Sequence, residues 1–210
     1  MIRSVMFDFG GVITTSPFES FARSEEEQGL PRDFIRTLNS TNSDTNAWAR
    51  YERGDIGFDE FCRLFEGEAL ALGHRLDAGA LMAGLSGELR PEMVEAVRIC
   101  SDRFRTACLT NNFSPVGASA RPDLARVFSL FDEVLESSKL GVRKPDPRIY
   151  RMACEALEVE PHEVVYLDDL GINLKPARQM GMHTIKVVDA GDALQALSSL
   201  IGIPLGSSAL

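Results

Sequence analysis

The sequence predicts an α/β protein in which a parallel β-sheet carries an inserted all-helical segment. Short apolar runs typical of buried strands recur along the chain, and helical patterns separate most of them. One long stretch near the beginning instead keeps helical spacing throughout. Alternation of strand and helix favours a parallel sheet. A length of 210 residues suits one core with a smaller inserted module.

The first predicted strand covers residues 2–7 and leads directly into Asp8. Phe9, Gly10 and Gly11 follow, so the strand ends in a glycine turn. The two glycines permit a tight turn and let backbone N–H groups approach an anion closely. We therefore expect Asp8 at the carboxyl end of a buried strand.

Residues 16–87 interrupt the alternation and form the predicted helical insert. Polar turn segments at 39–44 and 54–57 divide this stretch into short helices. Its apolar residues recur at helical intervals: Phe18, Phe21, Phe34, Ile35, Leu38, Trp48, Tyr51, Phe58, Phe61, Leu64, Phe65 and Leu72. Residues 1–15 and 88–210 are then expected to form the sheet-containing core.

The rest of the core alternates between strand and helix. Further strands are predicted at 106–109, 133–135, 164–167 and 183–188. Helices are predicted at 91–100, 147–157 and 173–180, and the first two begin with a proline suited to a first helical turn. The sequence therefore predicts five parallel strands.

Charge and composition limit the classes of partner. The chain has 22 basic and 31 acidic residues and a net charge of -9, which disfavours binding to nucleic acid and to anionic membrane surfaces. The same charge opposes a phosphorylated small molecule, so a site for one needs local positive charge from a cation or a lysine. No apolar run reaches membrane-spanning length.

The cysteine pattern and the start of the chain indicate a cytoplasmic protein. The four cysteines are scattered without a CxxC pair, as expected for a reduced chain. Only seven residues precede Asp8, which leaves no room for a charged leader with an apolar core.

Polar side chains lie at four predicted strand ends, where ligands bind in open parallel sheets. They are Asp8; Thr110 with Asn111; Lys144 in the loop after the third strand; and Asp168 with Asp169. Taken singly, each residue is also a common turn former or helix cap. Their joint occurrence at successive strand ends favours one shared site.

The segments that carry these residues resemble the four motifs of the haloacid dehalogenase-like superfamily, in order. They are FDFGGVI at 7–13, LTNN at 109–112, GVRKPDPRIY at 141–150 and VVYLDDLGINLKPAR at 164–178. Within the superfamily the chain is most similar to the phosphatase domain of soluble epoxide hydrolase and to the related domain of an acyl-CoA dehydrogenase family member. The resemblance implies a Rossmann-like core with a helical cap, residues 16–87, that closes over the active site.

The resemblance also implies a phosphohydrolase that uses Asp8 as its nucleophile and Mg²⁺ as its cofactor. A phosphoryl group repels a carboxylate, so attack requires a divalent cation and a cationic side chain. By analogy with the family, Asp8, the carbonyl of Gly10 and Asp169 hold Mg²⁺, which prefers oxygen ligands. Lys144 supplies the cationic side chain.

Three further roles follow from the resemblance. The hydroxyl of Thr110 and the side-chain amide of Asn111 donate hydrogen bonds to the phosphate. Asp168 lies behind the metal ligands and orients Lys144 or a metal-bound water.

Gly10 departs from the family pattern and leaves the function open. Most phosphatases of the family have a general acid/base Asp at this position, and such catalysis is worth ~10²–10⁴ in rate. A phosphatase that favours good leaving groups, or that recruits an acid from the insert, remains the first interpretation. The alternatives are a 2-haloacid dehalogenase-type hydrolase and a catalytically weak ligand-binding or regulatory module. The sequence does not identify the substrate, which is expected to be a small or a lipid phosphate. It does not predict the oligomeric state.

Overall fold

A five-stranded parallel sheet forms the centre of the protein. The computed structural model describes residues 1–85, 87–111 and 122–205. Its strands are β1 (Ser4–Phe7), β2 (Arg105–Thr110), β3 (Glu133–Glu136), β4 (Val164–Asp168) and β5 (His183–Lys186). They lie in the order β3-β2-β1-β4-β5, and every pair is parallel. The predicted α/β class with a Rossmann-like parallel sheet is therefore confirmed.

The segment between β1 and the next part of the core is helical, as predicted. Its helices are α1 (Pro17–Glu27), α2 (Phe34–Ser40), α3 (Ala47–Glu52), α4 (Phe58–Ala71) and α5 (Ala78–Gly84). Local signals start several of them. Ser16 caps α1 ahead of Pro17 at the first helical position, and Asn46 caps α3. The division into a core and a cap at residues 16 and 87 stays a prediction.

Aromatic packing gives the insert an apolar cluster of its own. The ring of Trp48 contacts Phe21, Phe61 and Phe65 at centroid distances of 5.6, 5.8 and 5.6 Å. Tyr51 stacks on Phe61 at 4.5 Å. These rings are all buried, so burial of apolar area explains the aromatic spacing seen in the sequence.

The other α-helices of the described residues belong to the core. They are α6 (Pro91–Ser101), α7 (Pro122–Phe128), α8 (Ser137–Leu140), α9 (Pro147–Leu157), α10 (Gly171–Gln179) and α11 (Ala190–Ile201). Successive side chains of β1 alternate between the two faces of the sheet. Val5 and Phe7 pack with apolar residues of α6 and α11, whereas Met6 packs with those of α9 and α10. Both faces of the sheet are therefore covered, as parallel sheets require.

The insert leaves and rejoins the core beside the end of β1. Thr14 and Leu89 form an antiparallel bridge, and the Thr15 N–H donates to the Glu88 carbonyl at 2.8 Å. The two chain segments that connect the insert to the core therefore run side by side, a few residues after Asp8. In the part of the chain that the structure describes, no helix combines the length and apolar character needed to cross a bilayer.

Candidate active site

Three neighbouring strands bring their polar ends together. β1 pairs with β2 on one side and with β4 on the other. The Asp8 N–H donates to the Leu167 carbonyl at 2.8 Å, which extends the β1 pairing by one residue. Thr110 ends β2 and Asp168 ends β4, and all three polar side chains are buried. The strand ends therefore form a single polar cluster.

Lys144 bridges two of the carboxylates in this cluster. Its Nζ lies 2.8 Å from Oδ1 of Asp8 and 2.8 Å from Oδ2 of Asp168, and its side chain is 1% exposed. Burial alone would lower the pKa of Lys144, but the two carboxylates outweigh burial and raise the pKa. The lysine therefore stays charged and places a fixed positive charge beside Asp8.

Asp168 is fully buried and has hydrogen-bond donors at both oxygens. It accepts hydrogen bonds from Lys144, from the Tyr166 hydroxyl, from the Leu170 N–H at 2.8 Å and from Nδ2 of Asn173 at 3.1 Å. Burial would raise the pKa of Asp168, but Lys144 and the other donors outweigh it and lower the pKa. The role expected of Asp168 behind the metal ligands stays a prediction.

The three carboxylates of the cluster carry more negative charge than Lys144 alone can neutralise. Asp8, Asp168 and Asp169 each offer a carboxylate oxygen within 4.8 Å of the others. Burial raises the pKa of Asp8, Lys144 opposes this rise, and the neighbouring carboxylates add to it. Burial and Asp168 raise the pKa of Asp169 to about 6. Within the described ranges Asp169 forms no ion pair, so an oxygen-only site with excess negative charge remains, which fits a divalent cation such as Mg²⁺.

The two glycines of the turn after β1 differ in backbone conformation and in the space around them. Gly11 has φ of +76°, and an added Cβ would lie 2.3 Å from Oδ2 of Asp169. A side chain at Gly11 would therefore strain the backbone and collide with the carboxylate. Gly10 has φ of -69°, and an added Cβ would meet nothing closer than Pro17 Cδ at 3.9 Å. The fold thus requires glycine at position 11 but leaves room for a side chain at position 10.

Asn111 holds the backbone of Lys144. Its Nδ2 donates to the Lys144 carbonyl at 3.0 Å, and its Oδ1 accepts from the Lys144 N–H at 2.8 Å. The expected donation from this amide to a phosphate stays a prediction, and so does that from Thr110. Asn112, the last residue of the LTNN segment, lies outside the described residues.

A comparison with known families identifies the chain. The family model for haloacid dehalogenase-like hydrolases matches residues 2–181. The chain belongs to this family. The matched residues of this haloacid dehalogenase-like hydrolase include the insert and all four segments that carry the cluster.

Curated relatives confirm the narrower resemblance. Bifunctional epoxide hydrolase 2 of Sus scrofa is 33% identical over 219 residues, covering 97% of this chain and 40% of that protein. Acyl-CoA dehydrogenase family member 10 of Mus musculus is 34% identical over 209 residues, covering 97% and 19%. The hydrolase thus spans about two fifths of the length of the epoxide hydrolase and about one fifth of the length of the acyl-CoA dehydrogenase family member. Phosphatase MT3486 of Mycobacterium tuberculosis (strain CDC 1551 / Oshkosh) is 31% identical over 214 residues, covering 95% of each chain.

A solved structure shares the fold. The HAD family enzyme bt-2542 of Bacteroides thetaiotaomicron, in complex with magnesium and inorganic phosphate, matches with a TM-score of 0.62 and 18% identity. The match covers 89% of this chain and 94% of that one.

Several residues of the hydrolase's site were not identified from the sequence. Tyr166 and Asn173 both donate to Asp168, and Glu52 of the insert pairs with Arg143 next to Lys144. The alternation of a strand places Tyr166 on the same face as Asp168, so this contact had a local signal. The pairing of Glu52 with Arg143 had no local signal in the sequence, because the two residues come from distant segments.

Proposed function

We propose that this hydrolase is a Mg²⁺-dependent phosphomonoesterase that works through a phosphoaspartate on Asp8. The observation that carries the proposal is the buried ammonium of Lys144, 2.8 Å from Asp8 at the end of β1. It supplies the local positive charge that a phosphate needs in a chain of net charge -9. The likeness to Phosphatase MT3486 over nearly the whole chain supports the same class of reaction.

Asp8, Asp169 and the carbonyl of Gly10 would hold the magnesium ion. The ion, when bound, would neutralise phosphate oxygens and lower the repulsion between the phosphate and Asp8. The magnesium and inorganic phosphate bound by bt-2542 support this assignment. Asp168 already has donors at both oxygens, so its task is to hold Lys144 rather than to bind the ion.

The proposed reaction has two displacements at phosphorus. The Asp8 carboxylate forms a new O–P bond while the ester O–P bond breaks, and the alkoxide leaves with the bonding electrons and takes a proton from water. Lys144 and the Thr110 hydroxyl donate hydrogen bonds to the phosphate oxygens as charge shifts. Water then attacks the phosphoaspartate, which releases inorganic phosphate and restores the carboxylate.

The leaving group determines how well this reaction runs. Gly10 has no side chain to protonate the departing alkoxide, so substrates with acidic leaving groups are favoured. The aromatic residues of the insert pack into its own core, so they give no argument for a lipid substrate. The proposed substrate is therefore a phosphomonoester with an acidic leaving group, either a small or a lipid phosphate.

The test is hydrolysis of p-nitrophenyl phosphate with Mg²⁺ or with a chelator, by the wild type and by Asp8→Asn. This ester has a good leaving group, so the assay probes Asp8 without depending on Gly10. We expect turnover that requires Mg²⁺ and is lost in Asp8→Asn. Unchanged turnover in Asp8→Asn would exclude the phosphoaspartate route.

The same assay separates the alternatives. If the wild type does not turn over the ester, halide release from 2-haloacids distinguishes a dehalogenase from a ligand-binding module. The excess negative charge at Asp8 and Asp169 favours the phosphatase, because a dehalogenase has no use for a divalent cation there.

A further inference from the structure

We propose that Glu52, in the helical insert, positions Lys144 for catalysis through a buried ion pair with Arg143. The proposal rests on the proposed function, because it assigns Lys144 to the phosphate. It makes the insert part of the catalytic apparatus of the core, in addition to any role in choosing the substrate.

The ion pair is mostly removed from solvent. Oε2 of Glu52 lies 2.5 Å from Nε of Arg143, with side-chain exposures of 9% and 20%. The two opposite charges are therefore in direct contact. The other oxygen of Glu52 accepts from Nε1 of Trp48 at 2.9 Å, which orients the carboxylate.

Other contacts fix the same part of the insert to the core. The hydroxyl of Ser137 donates to the Glu52 carbonyl at 2.6 Å. Nη1 of Arg143 donates to the Ser43 carbonyl at 2.8 Å. Gly54 has φ of +73°, and an added Cβ would lie 2.5 Å from the Ser138 carbonyl oxygen, so the two backbones are close. The segment around α3 is thus seated on α8 and on the loop that follows it.

These contacts between the insert and the core affect the position of Lys144 through the backbone. Arg143 directly precedes Lys144, and Asn111 holds the Lys144 peptide through its N–H and its carbonyl. The loop is therefore held at Arg143 by the insert and at Lys144 by Asn111, the residue that follows β2. Without Glu52, only the Ser43 carbonyl still binds Arg143 from the insert, so the Lys144 ammonium is less firmly kept at 2.8 Å from Asp8. A displacement of about 1 Å in a catalytic group can lower the rate by ~10²-fold.

The experiment compares Glu52→Gln with a matched control, Asp55→Asn. Glu52→Gln removes the charge but keeps an oxygen for Trp48. Asp55→Asn removes a carboxylate from a more exposed ion pair of the same insert, with Arg53. For each protein we would measure kcat and KM for p-nitrophenyl phosphate with Mg²⁺, the melting temperature, and residue-resolved amide hydrogen exchange over 141–146.

We expect Glu52→Gln to lower kcat by about 10–100-fold with KM changed less than threefold, while the protein remains folded at the assay temperature. Exchange of the Lys144 N–H should become faster in Glu52→Gln. Asp55→Asn should match the wild type in kcat and in the exchange rate of this N–H. Arg143→Lys keeps the charge and should recover part of the kcat that Arg143→Met loses.

Two results would overturn the proposal. One is a Glu52→Gln variant with wild-type kcat. The other is a Glu52→Gln variant whose Lys144 N–H exchanges at the wild-type rate. The exchange measurement needs no turnover, so it decides the positioning role even if the wild type proves not to hydrolyse phosphate esters, an outcome that would contradict only the proposed function.

Discussion

Lys144 is the residue on which the electrostatics of the site depend. Its side chain is 1% exposed and touches two buried carboxylates. Removing one partner of a buried ion pair leaves the other charge without compensation, and this is costlier than losing a surface pair. The stability of the free protein and the chemistry of the site are therefore linked through one ammonium group.

Lys144→Met should lower the free energy of unfolding by ~3–5 kcal/mol in urea denaturation, because Asp8 and Asp168 lose their cation. The control is Lys175→Met, at an exposed position of α10. This substitution should change the free energy of unfolding by less than ~1 kcal/mol. Equal effects in the two variants would contradict the assignment of Lys144 as the counter-ion of the cluster.

The two glycines after Phe9 should respond in opposite directions to the same change. Gly11→Ala should destabilise the protein by more than ~1–2 kcal/mol, because φ is positive and the Cβ meets Asp169. Gly10→Ala fits its backbone and should be neutral or stabilise by up to ~1 kcal/mol. Thermal unfolding of both variants checks this, and a stable Gly11→Ala would show that Asp169 has room to move.

Gly10→Asp tests the missing acid directly. The space beside Pro17 accommodates a side chain, so the variant should fold. We expect it to raise kcat for phosphate esters of alkyl alcohols by at least ~10-fold and to change p-nitrophenyl phosphate turnover little, because only the poor leaving group needs the proton. Equal change for both kinds of ester would mean that protonation does not limit the rate.

At the scale of elements, capping and loop geometry determine where the insert meets the core. Asn46 is buried, and its Oδ1 accepts from the Ala49 N–H at 2.8 Å to cap α3. Its Nδ2 donates to the carbonyls of Asn39 and Thr41 at 2.9 and 2.8 Å. One side chain therefore starts α3, the helix of Glu52, and shapes the loop before it.

Asn46→Ala should destabilise the protein by ~2–4 kcal/mol, since the cap and two bonds to carbonyls are lost together. Asn46→Ser keeps a capping oxygen and loses only the amide donors, so it should fall between the wild type and Asn46→Ala. Urea denaturation measures the series. If serine proves as costly as alanine, the cap contributes nothing and the loop contacts account for the whole effect.

At the scale of the whole molecule, three carboxylates and one lysine meet where β1, β2 and β4 end. A parallel sheet aligns the carboxyl ends of its strands at one edge, so residues far apart in the chain converge there. In a protein of net charge -9 this concentration of acids opposes folding unless a cation binds.

Mg²⁺ should therefore raise the melting temperature of the wild type. A ligand that binds only the native state stabilises it by ~2.7 kcal/mol at a hundred times its Kd. Asp169→Asn should weaken the magnesium effect, whereas Asp102→Asn, at a side chain 68% exposed, should preserve it. The measurement is thermal unfolding over a magnesium titration, and an equal response in both variants would remove Asp169 from the metal site.

Local patterns predicted most of the fold but not every boundary. The strand expected at 183–188 ends at Lys186, and Val188, which is 78% exposed, is apolar without being part of the sheet. The helix expected from 173 begins at Gly171. Helix α11 was not predicted, although Ala193, Leu194 and Leu197 recur at helical spacing. Apolar periodicity marks an element, but pairing partners and caps decide where it ends.

The sequence by itself determined the α/β class, the helical insert, the strand-end positions of Asp8, Thr110 and Asp168, and the loop position of Lys144, because each depends on spacing within a short segment. Only the tertiary structure decided that Asn111 holds Lys144, that Gly11 must yield space to Asp169, and that Glu52 reaches Arg143. These contacts join segments that are distant in the chain. Their geometry follows from how the insert and the strands pack, and no local pattern encodes that packing.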